Sequence, residues 1–385
     1  MPAPSALIAG WARSAVAPVG GAFGRSQSHE IGAPVLQALL QRAGLPAEAV
    51  DAVVLGNALG AGGNPARLLA LAAGLPQRGA ALSVDTQCCA GLDAVALGVG
   101  LLASGQAGIV IAGGAEAWSR APIRMHRPEQ PGDTPQAYER PRFVPEPRED
   151  PDLLDSAAAY AVREGFGRAQ QDAYALHSHA RAVAHRDVLA REIVPVAGLA
   201  QDAYPRVIDA ARAARMRPVV NAGGPEAGSI SALGISAKAD GAALVLLATD
   251  AACRRFGLRP RAAWHAGASV GSDPSTPLLA AEAAAREALR RGNEWRVDEL
   301  AAIELHDAFA VQGLSFCRGL GLDPERLNAR GGGLARGHPI GASGAIALVR
   351  LLSDLCGDDA APQARGLVSV AGAGGIGSAA VVQAL

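Results

Sequence analysis

This sequence has no excess of one charge, few aromatics, few cysteines and no long apolar run, and each shortage excludes something. Thirty-five Lys and Arg against 36 Asp and Glu leave a net charge of -1. No chain-wide field therefore draws the protein to nucleic acid or an anionic membrane, and only local patches remain for phosphate. Cys88, Cys89, Cys253, Cys317 and Cys356 are odd in number and lack the dense spacing of a disulfide framework, which favours a reducing compartment. No basic segment leads into an apolar run at the N-terminus, and nothing approaches the roughly 18 uninterrupted apolar residues of a membrane span. A soluble, cytoplasmic protein is expected, without nucleic-acid or membrane partners. Aromatics at 4%, with abundant alanine and arginine favoured over lysine, reflect genome composition more than function.

What remains is globular. Of 385 residues, 50% are hydrophobic and 18% charged, with 47 Gly and 25 Pro spread along the chain. That is too apolar for disorder and too evenly interrupted for a fibre. At about 150 residues per domain, the length suits roughly two to three domains.

Strand-length apolar runs occur at Ala52 to Leu55, Ile109 to Ala112, Ala243 to Ala248 and Leu367 to Val370. Between them lie helix-length Ala/Leu/Arg segments at Ile31 to Arg42, Leu92 to Ala103, Leu279 to Arg291 and Ala342 to Leu355. This alternation predicts α/β layers with buried, largely parallel strands. The middle differs: Pro122 to Pro151 is crowded with proline and charge, and Ala157 to Ala190 reads as polar helix, as expected of an inserted loop domain. The scaffold also repeats itself. Leu82 to Ala103 is echoed by Gly331 to Leu355, and Ile109 to Glu116 by Leu367 to Ser378.

Gly372-Ala373-Gly374-Gly375-Ile376-Gly377 satisfies G-x-G-x-x-G, but only eight residues of the 385 follow it. That leaves no room for the rest of a βαβ unit or the acidic ribose ligand roughly 20 residues on, so the segment reads as a tight turn. His177, His179 and His185 fall on the polar helix, where i, i+2 spacing points side chains apart, so they are expected to be solvated and not metal ligands. Val84-Asp85-Thr86-Gln87-Cys88-Cys89-Ala90-Gly91-Leu92 is sharper. A strand, a cysteine at the turn and a small-residue helix set the thiol at a helix N-terminus, which lowers its pKa from about 8.5 and favours thiolate. From this segment alone, a nucleophile and a buried structural thiol stand equally open. His306, ending a predicted strand, and His338, in a Gly-rich turn opening a helix, supply what such a nucleophile needs: a base, and a donor to a developing oxyanion.

Together these segments strongly resemble the thiolase superfamily, nearly end to end. Gly63-Asn64-Pro65-Ala66-Arg67 and Ala73-Gly74-Leu75-Pro76 are similar to the family's first half, and Cys88, four residues before Leu92, to its acyl-accepting cysteine. Ile111-Ala112-Gly113-Gly114-Ala115-Glu116, Gln171-Asp172, Glu192-Ile193-Val194-Pro195-Val196 and Ser231 to Ala243 follow in the family's order. His306-Asp307-Ala308-Phe309 stands where thiolases carry Asn-Glu-Ala-Phe, and Gly337-His338-Pro339 matches the catalytic histidine. The resemblance implies an α/β thiolase fold, with duplicated βαβαβαββ halves in a five-layer α-β-α-β-α sandwich and an inserted loop domain. The first half would span 1–118, completed by about 239–260. A loop domain over 119–238 would cover coenzyme A, and the second half would span 261–385. It also implies homodimers or homotetramers, a coenzyme A thioester as substrate, no permanently bound cofactor and no metal. Cys88, His306 and His338 would be catalytic, and the backbone N–H groups of Cys88 and Ala373 would hold the oxyanion. Ser236, Ala308 and Phe309 would line the pantetheine channel, and Arg206 or Arg217 would meet the nucleotide phosphates.

The sequence departs from that pattern where chemistry is at stake. The family carries a Cys-x-Gly-Gly-Gly-x-Gly segment near its end, whose leading cysteine removes the α-proton of the second acyl-CoA; aligning its glycines on Gly374, Gly375 and Gly377 puts Ala371 at that cysteine. Sterol-carrier-type thiolases take the second cysteine from His-Asp-Cys-Phe, but here that position is Ala308. Ala90 replaces the serine after the nucleophile, and Ser156 to Tyr160 the Thr-Ala-Glu-Asn helix. Asp85-Thr86-Gln87-Cys88 and the Cys88/His306/His338 set resemble decarboxylating ketosynthases of the same superfamily. The expected function is acyl transfer from acyl-CoA through a cysteine thioester, in Claisen condensation or thiolysis of 3-ketoacyl-CoA. The alternatives are decarboxylative condensation or simple acyl transfer without a second cysteine, and a non-catalytic acyl-CoA-binding subunit.

Overall fold

The computed structural model describes residues 6–60, 62–221, 229–357 and 360–385. The first half contains β1 (Ala6–Ser14), α1 (Ser28–Ala43), β2 (Ala52–Gly56), β3 (Ala80–Val84), α2 (Ala90–Ala103), β4 (Ile109–Ala117) and, after the inserted segment, β5 (Ala239–Ala248). The insertion carries α3 (Arg168–Ala184). The second half contains β6 (Ala262–Gly271), α4 (Ala280–Arg291), β7 (Ala302–His306), α5 (Ala310–Leu320), α6 (Ser343–Leu355), β8 (Arg365–Gly372) and β9 (Ile376–Ala384).

The halves share one topology. Along the sheet the first half runs β1-β5-β4-β2-β3 and the second β6-β9-β8-β7. A parallel bridge between Ile303 and Leu327 stands where the second half's counterpart of β3 would pair. In each half the ladders nearest the seam are antiparallel and the outer ones parallel. The sheets join where residues 6–8 of β1 pair antiparallel with residues 262–264 of β6.

The expectation of largely parallel strands is thus corrected. Parallel neighbours need a crossover connection, whereas the short turn between β8 and β9 can join only antiparallel neighbours. The expected polar helix over Ala157 to Ala190 is also broken, into Leu153–Glu164, α3 and a short helix at Arg186–Ala190; Gly165 takes a left-handed φ of 71° and ends the first.

Amphipathicity sorts the helices into layers. α1 buries Ile31, Val35, Leu36, Leu39 and Leu40 against the outer face of the first sheet. Its start is tied by a capping box between Gln27 and Glu30. α4 covers the outer face of the second sheet through Ala281, Ala284, Ala285 and Ala288. α2 and α6 are apolar almost all round and lie between the sheets, the place such helices require. They meet through small residues. A Cβ on Gly91 would sit 3.0 Å from Ala345 Cβ, and one on Gly344 would sit 2.9 Å from Leu92 Cβ. This close approach brings together the N-terminal ends of the two helices, where the chemistry-bearing residues stand.

Candidate active site

Cys88 lies in the short turn between β3 and α2. Gln87 is a non-glycine residue held at φ 55°, a conformation costing about 1–2 kcal/mol that reverses the chain sharply before the helix. Thr86 Oγ1 donates to Asp93 Oδ2 at 2.6 Å, and the Gln87 N–H donates to Asp85 Oδ1 at 2.9 Å, so both flanks of the turn are pinned.

The Cys88 thiol faces His338: Sγ and Nε2 are 3.2 Å apart. On the far side of that ring, Nδ1 lies 2.8 Å from Ser343 Oγ, and the Ser343 hydroxyl donates to Pro339 O at 2.9 Å. With its only proton so committed, Ser343 can only accept from His338. Nδ1 therefore carries the ring proton, and Nε2 presents a lone pair to the thiol. The loop bearing His338 is held from the other half by Glu116, at the end of β4. Its carboxylate accepts from Ala58 N at 2.8 Å, Asn57 Nδ2 at 2.8 Å and Gly341 N at 3.1 Å.

His306 ends β7 and is buried. Its ring stacks on that of His338, with centroids 4.4 Å apart and planes at 24°. Gly333 permits this placement, since a Cβ there would sit 2.6 Å from His306 Nδ1. His306 Nε2 is buried without a hydrogen-bond partner among the described residues. The neighbouring Asp307 accepts from Tyr174 Oη of α3 at 2.9 Å and from Leu334 N at 3.3 Å, anchoring the inserted segment behind the histidines.

Electrostatics here follow burial. Desolvation pushes the Cys88 thiol up to about 12, against the pull of the Ala373 and Cys88 backbone N–H groups that reach its sulfur. It also holds His338 down to about 4, and it drives His306 well below the usual imidazole range, with His338 and Arg336 adding to the effect. The expectation of a thiol acidified by its helix is therefore overturned. The resting centre is a neutral thiol beside a neutral imidazole, because enclosure between two sheets outweighs a helix terminus.

The segment returning from the insertion lies across the loops that bear His306 and His338. Ser236 N donates to Ala308 O at 2.9 Å, Ser236 Oγ donates to Gly333 O at 2.6 Å, and His338 N donates to Ala237 O at 2.7 Å. Ile235 bridges Phe309. Ser236, Ala308 and Phe309 are thus brought together beside His306 and His338. Arg206 and Arg217 are exposed, and Arg206 folds back with its guanidinium 4.3 Å from the Tyr204 ring centroid.

The three histidines of α3 and its end go separate ways. His177 faces Glu325 at 3.3 Å, and His185 Nδ1 lies 2.9 Å from Arg181 O. His179, expected to be solvated, is instead buried against the Tyr204 ring and held down to about 4 by burial, because the insertion folds over it. The G-x-G-x-x-G segment is the turn between β8 and β9, with no helix after it.

Ala371 is buried near the end of β8, packed in the cluster beneath α4, two residues before the Ala373 amide that reaches Cys88 Sγ. Cys89 offers no second thiol to the centre. It is fully buried, and its Sγ points to Val370 O at 3.6 Å and Ile376 O at 3.8 Å. Asn57, Glu116 and Ser343 were assigned no role from sequence. Asn57 and Glu116 act on each other and on Gly341 from far apart in the chain, and Ser343, though near His338 in sequence, is marked only by the direction its hydroxyl takes once the turn folds.

Comparison with known proteins covers the whole fold. Residues 6–251 match the N-terminal domain of thiolase and residues 258–384 its C-terminal domain. An acetyl-CoA acetyltransferase of Rhizobium meliloti is 36% identical over 406 residues, covering 99% of each chain. One from Shinella zoogloeoides is 36% identical over 411 residues, covering 100% of each. Among solved structures, the Bacillus anthracis acetyl-CoA acetyltransferase superposes with a TM-score of 0.90 at 29% identity, covering 99% of both chains. A thiolase from Ascaris suum in complex with coenzyme A gives 0.89 at 27% identity, covering 99% of this chain and 100% of that one.

Proposed function

Because the chain belongs to the thiolase family, acyltransferases that work by Claisen condensation or thiolysis of 3-ketoacyl-CoA, we propose that Cys88 is its acyl carrier and His338 the base that activates it. The observation carrying this reading is the Cys88–His338–Ser343 chain, which aims an unprotonated Nε2 at the thiol. As Sγ bonds to the thioester carbonyl carbon, its proton passes to His338 Nε2, and the carbonyl electrons move onto oxygen. The N–H groups of Cys88 and Ala373, already directed at the sulfur, hold that oxyanion. Collapse expels coenzyme A as thiolate, which takes the proton back from His338. The stacked His306 then polarises the carbonyl of the second substrate together with His338. Ser236, Ala308 and Phe309 line the approach of the pantetheine arm, and Arg206 or Arg217 meets the nucleotide phosphates. The first half over 1–118 and 239–260, the covering segment over 119–238 and the second half over 261–385 belong to the same reading, as does a cytoplasmic location.

A second reading is favoured by one observation: Ala371 cannot take a proton, and Cys89 is turned into the core. A substrate that generates its carbanion by losing a carboxylate needs no such base. Purified protein assayed with acetyl-CoA, with malonyl-CoA, and with acetoacetyl-CoA plus coenzyme A separates the two. Non-decarboxylative condensation is expected to run about 10²-fold or more below that of a competent thiolase, the general worth of positioned acid–base catalysis. Ala371→Cys should raise it while leaving Cys88 acylation unchanged. Wild-type turnover on acetyl-CoA alone near 10 per second, on the order of a typical enzyme, would show that the missing thiol is no handicap.

We also infer a homodimer. Among the described residues β3 is an open edge of the sheet, and Leu82 on it, with Leu68, Leu71 and Leu97 nearby in the chain, is exposed. An unpaired, apolar edge is a template for a second copy. Light scattering should give a dimer or tetramer for wild type and a smaller species for Leu82→Lys; a monomeric wild type at assay concentrations would refute it.

A further inference from the structure

A cavity of about 910 Å³ opens at the seam between the halves, remote from Cys88. It is lined by the middle of β1, the end of α1, the connection 257–261 and the C-terminal end of α6, including Ser353 and Asp354. Ser343, which holds His338, begins that same helix, so about 16 Å of helix at 1.5 Å per residue separates the cavity from the acyl-transfer centre.

Arginine dominates the lining. Arg42, Arg191, Arg259, Arg261 and Arg330 line the cavity, whereas the two lining carboxylates among the described residues are already paired. Glu192 is gripped by Arg13 at 2.6 Å and by Arg350, and Asp354 by Arg350 at 2.6 Å and Arg330 at 3.2 Å. Among the described residues, Arg42 and Arg259 have no carboxylate partner. Arg261 donates only to the Cys356 carbonyl, and its guanidinium lies 5.1 Å from the centroid of the Trp11 ring. Among the described residues, these three guanidinium groups thus face one solvent-open cleft without a carboxylate partner, an arrangement that favours a bound anion. Planar guanidinium forks match phosphate oxygens bidentately. The volume is far larger than one phosphate needs and suits a ligand of nucleotide size.

We propose that this cleft is a second ligand site, for a polyphosphate-bearing anion, distinct from the path of the coenzyme A substrate. Calorimetric titration of the full-length protein with ATP, tripolyphosphate and inorganic phosphate tests it. ATP and tripolyphosphate should bind saturably and less tightly as salt is raised, and inorganic phosphate much more weakly. An Arg42→Glu/Arg259→Glu double variant should lose at least about tenfold in affinity, since charge-assisted contacts are reversed, while acylation of Cys88 stays unchanged. Tighter binding of ATP than of tripolyphosphate identifies a nucleotide as the source, and equal binding a free polyphosphate. No saturable binding, or binding that the double variant leaves intact and that therefore belongs to the coenzyme A path, overturns the proposal. Neither result bears on the role of Cys88.

Discussion

Cys88→Ala should yield no acyl-enzyme and no turnover above background, whereas Cys89→Ala should still acylate. The two thiols are adjacent in sequence but turned to different surroundings. Cys88 Sγ has the Nε2 lone pair of His338 at 3.2 Å and two backbone N–H groups directed at it. Cys89 Sγ is turned to the Val370 and Ile376 carbonyl oxygens, with no imidazole beside it, and burial pushes it well above the ordinary thiol range against the pull of the Ser378 backbone N–H. Truncating Cys88 removes one small, nearly buried side chain, so the variant should fold, at a cost of about 1 kcal/mol or less. Intact mass followed by peptide mapping after exposure to short-chain acyl-CoA reads the result directly. Acylation that survives Cys88→Ala and disappears in Cys89→Ala would reverse the assignment.

His338→Ala should slow acylation by about 10² to 10⁴, the usual worth of a positioned base, and should change how the rate responds to pH. Burial holds His338 down to about 4 and lifts Cys88 to about 12, so across the neutral range the imidazole stays unprotonated and the thiol intact. Wild-type acylation should therefore be flat through neutrality and fall only as pH drops toward about 4 and the base is protonated. Without the imidazole, attack depends on free thiolate, and the residual rate should climb roughly tenfold per pH unit until the thiol titrates. Stopped-flow release of coenzyme A across pH distinguishes the two profiles. A wild-type rate that already rises tenfold per unit would mean that His338 does not take the proton. His306→Ala, by contrast, should spare acylation more than the carbon–carbon step; equal losses in both half-reactions would remove that division of labour.

How much of this was legible beforehand depends on how far apart in the chain the determining residues lie. The runs Ala52 to Leu55 and Leu367 to Val370 appear as β2 and β8, and Leu92 to Ala103 and Ala342 to Leu355 as α2 and α6, each to within a few residues. Hydrophobic period and turn chemistry are written in neighbouring residues, so the sequence by itself determined the alternating elements, the doubled scaffold, and Cys88 and His338 as residues at helix entrances. Tertiary structure decided the rest. The antiparallel seam, the stack of His306 on His338 and the grip of Glu116 on Gly341 all join residues remote in sequence, and the tautomer at His338 depends on the local fold that turns the nearby Ser343 hydroxyl to Pro339 O. The same holds for the inverted proton balance at Cys88. A helix terminus can be read from local sequence, but the burial that overrides it is created only when two sheets close over α2 and α6 and shut water out of the space between them.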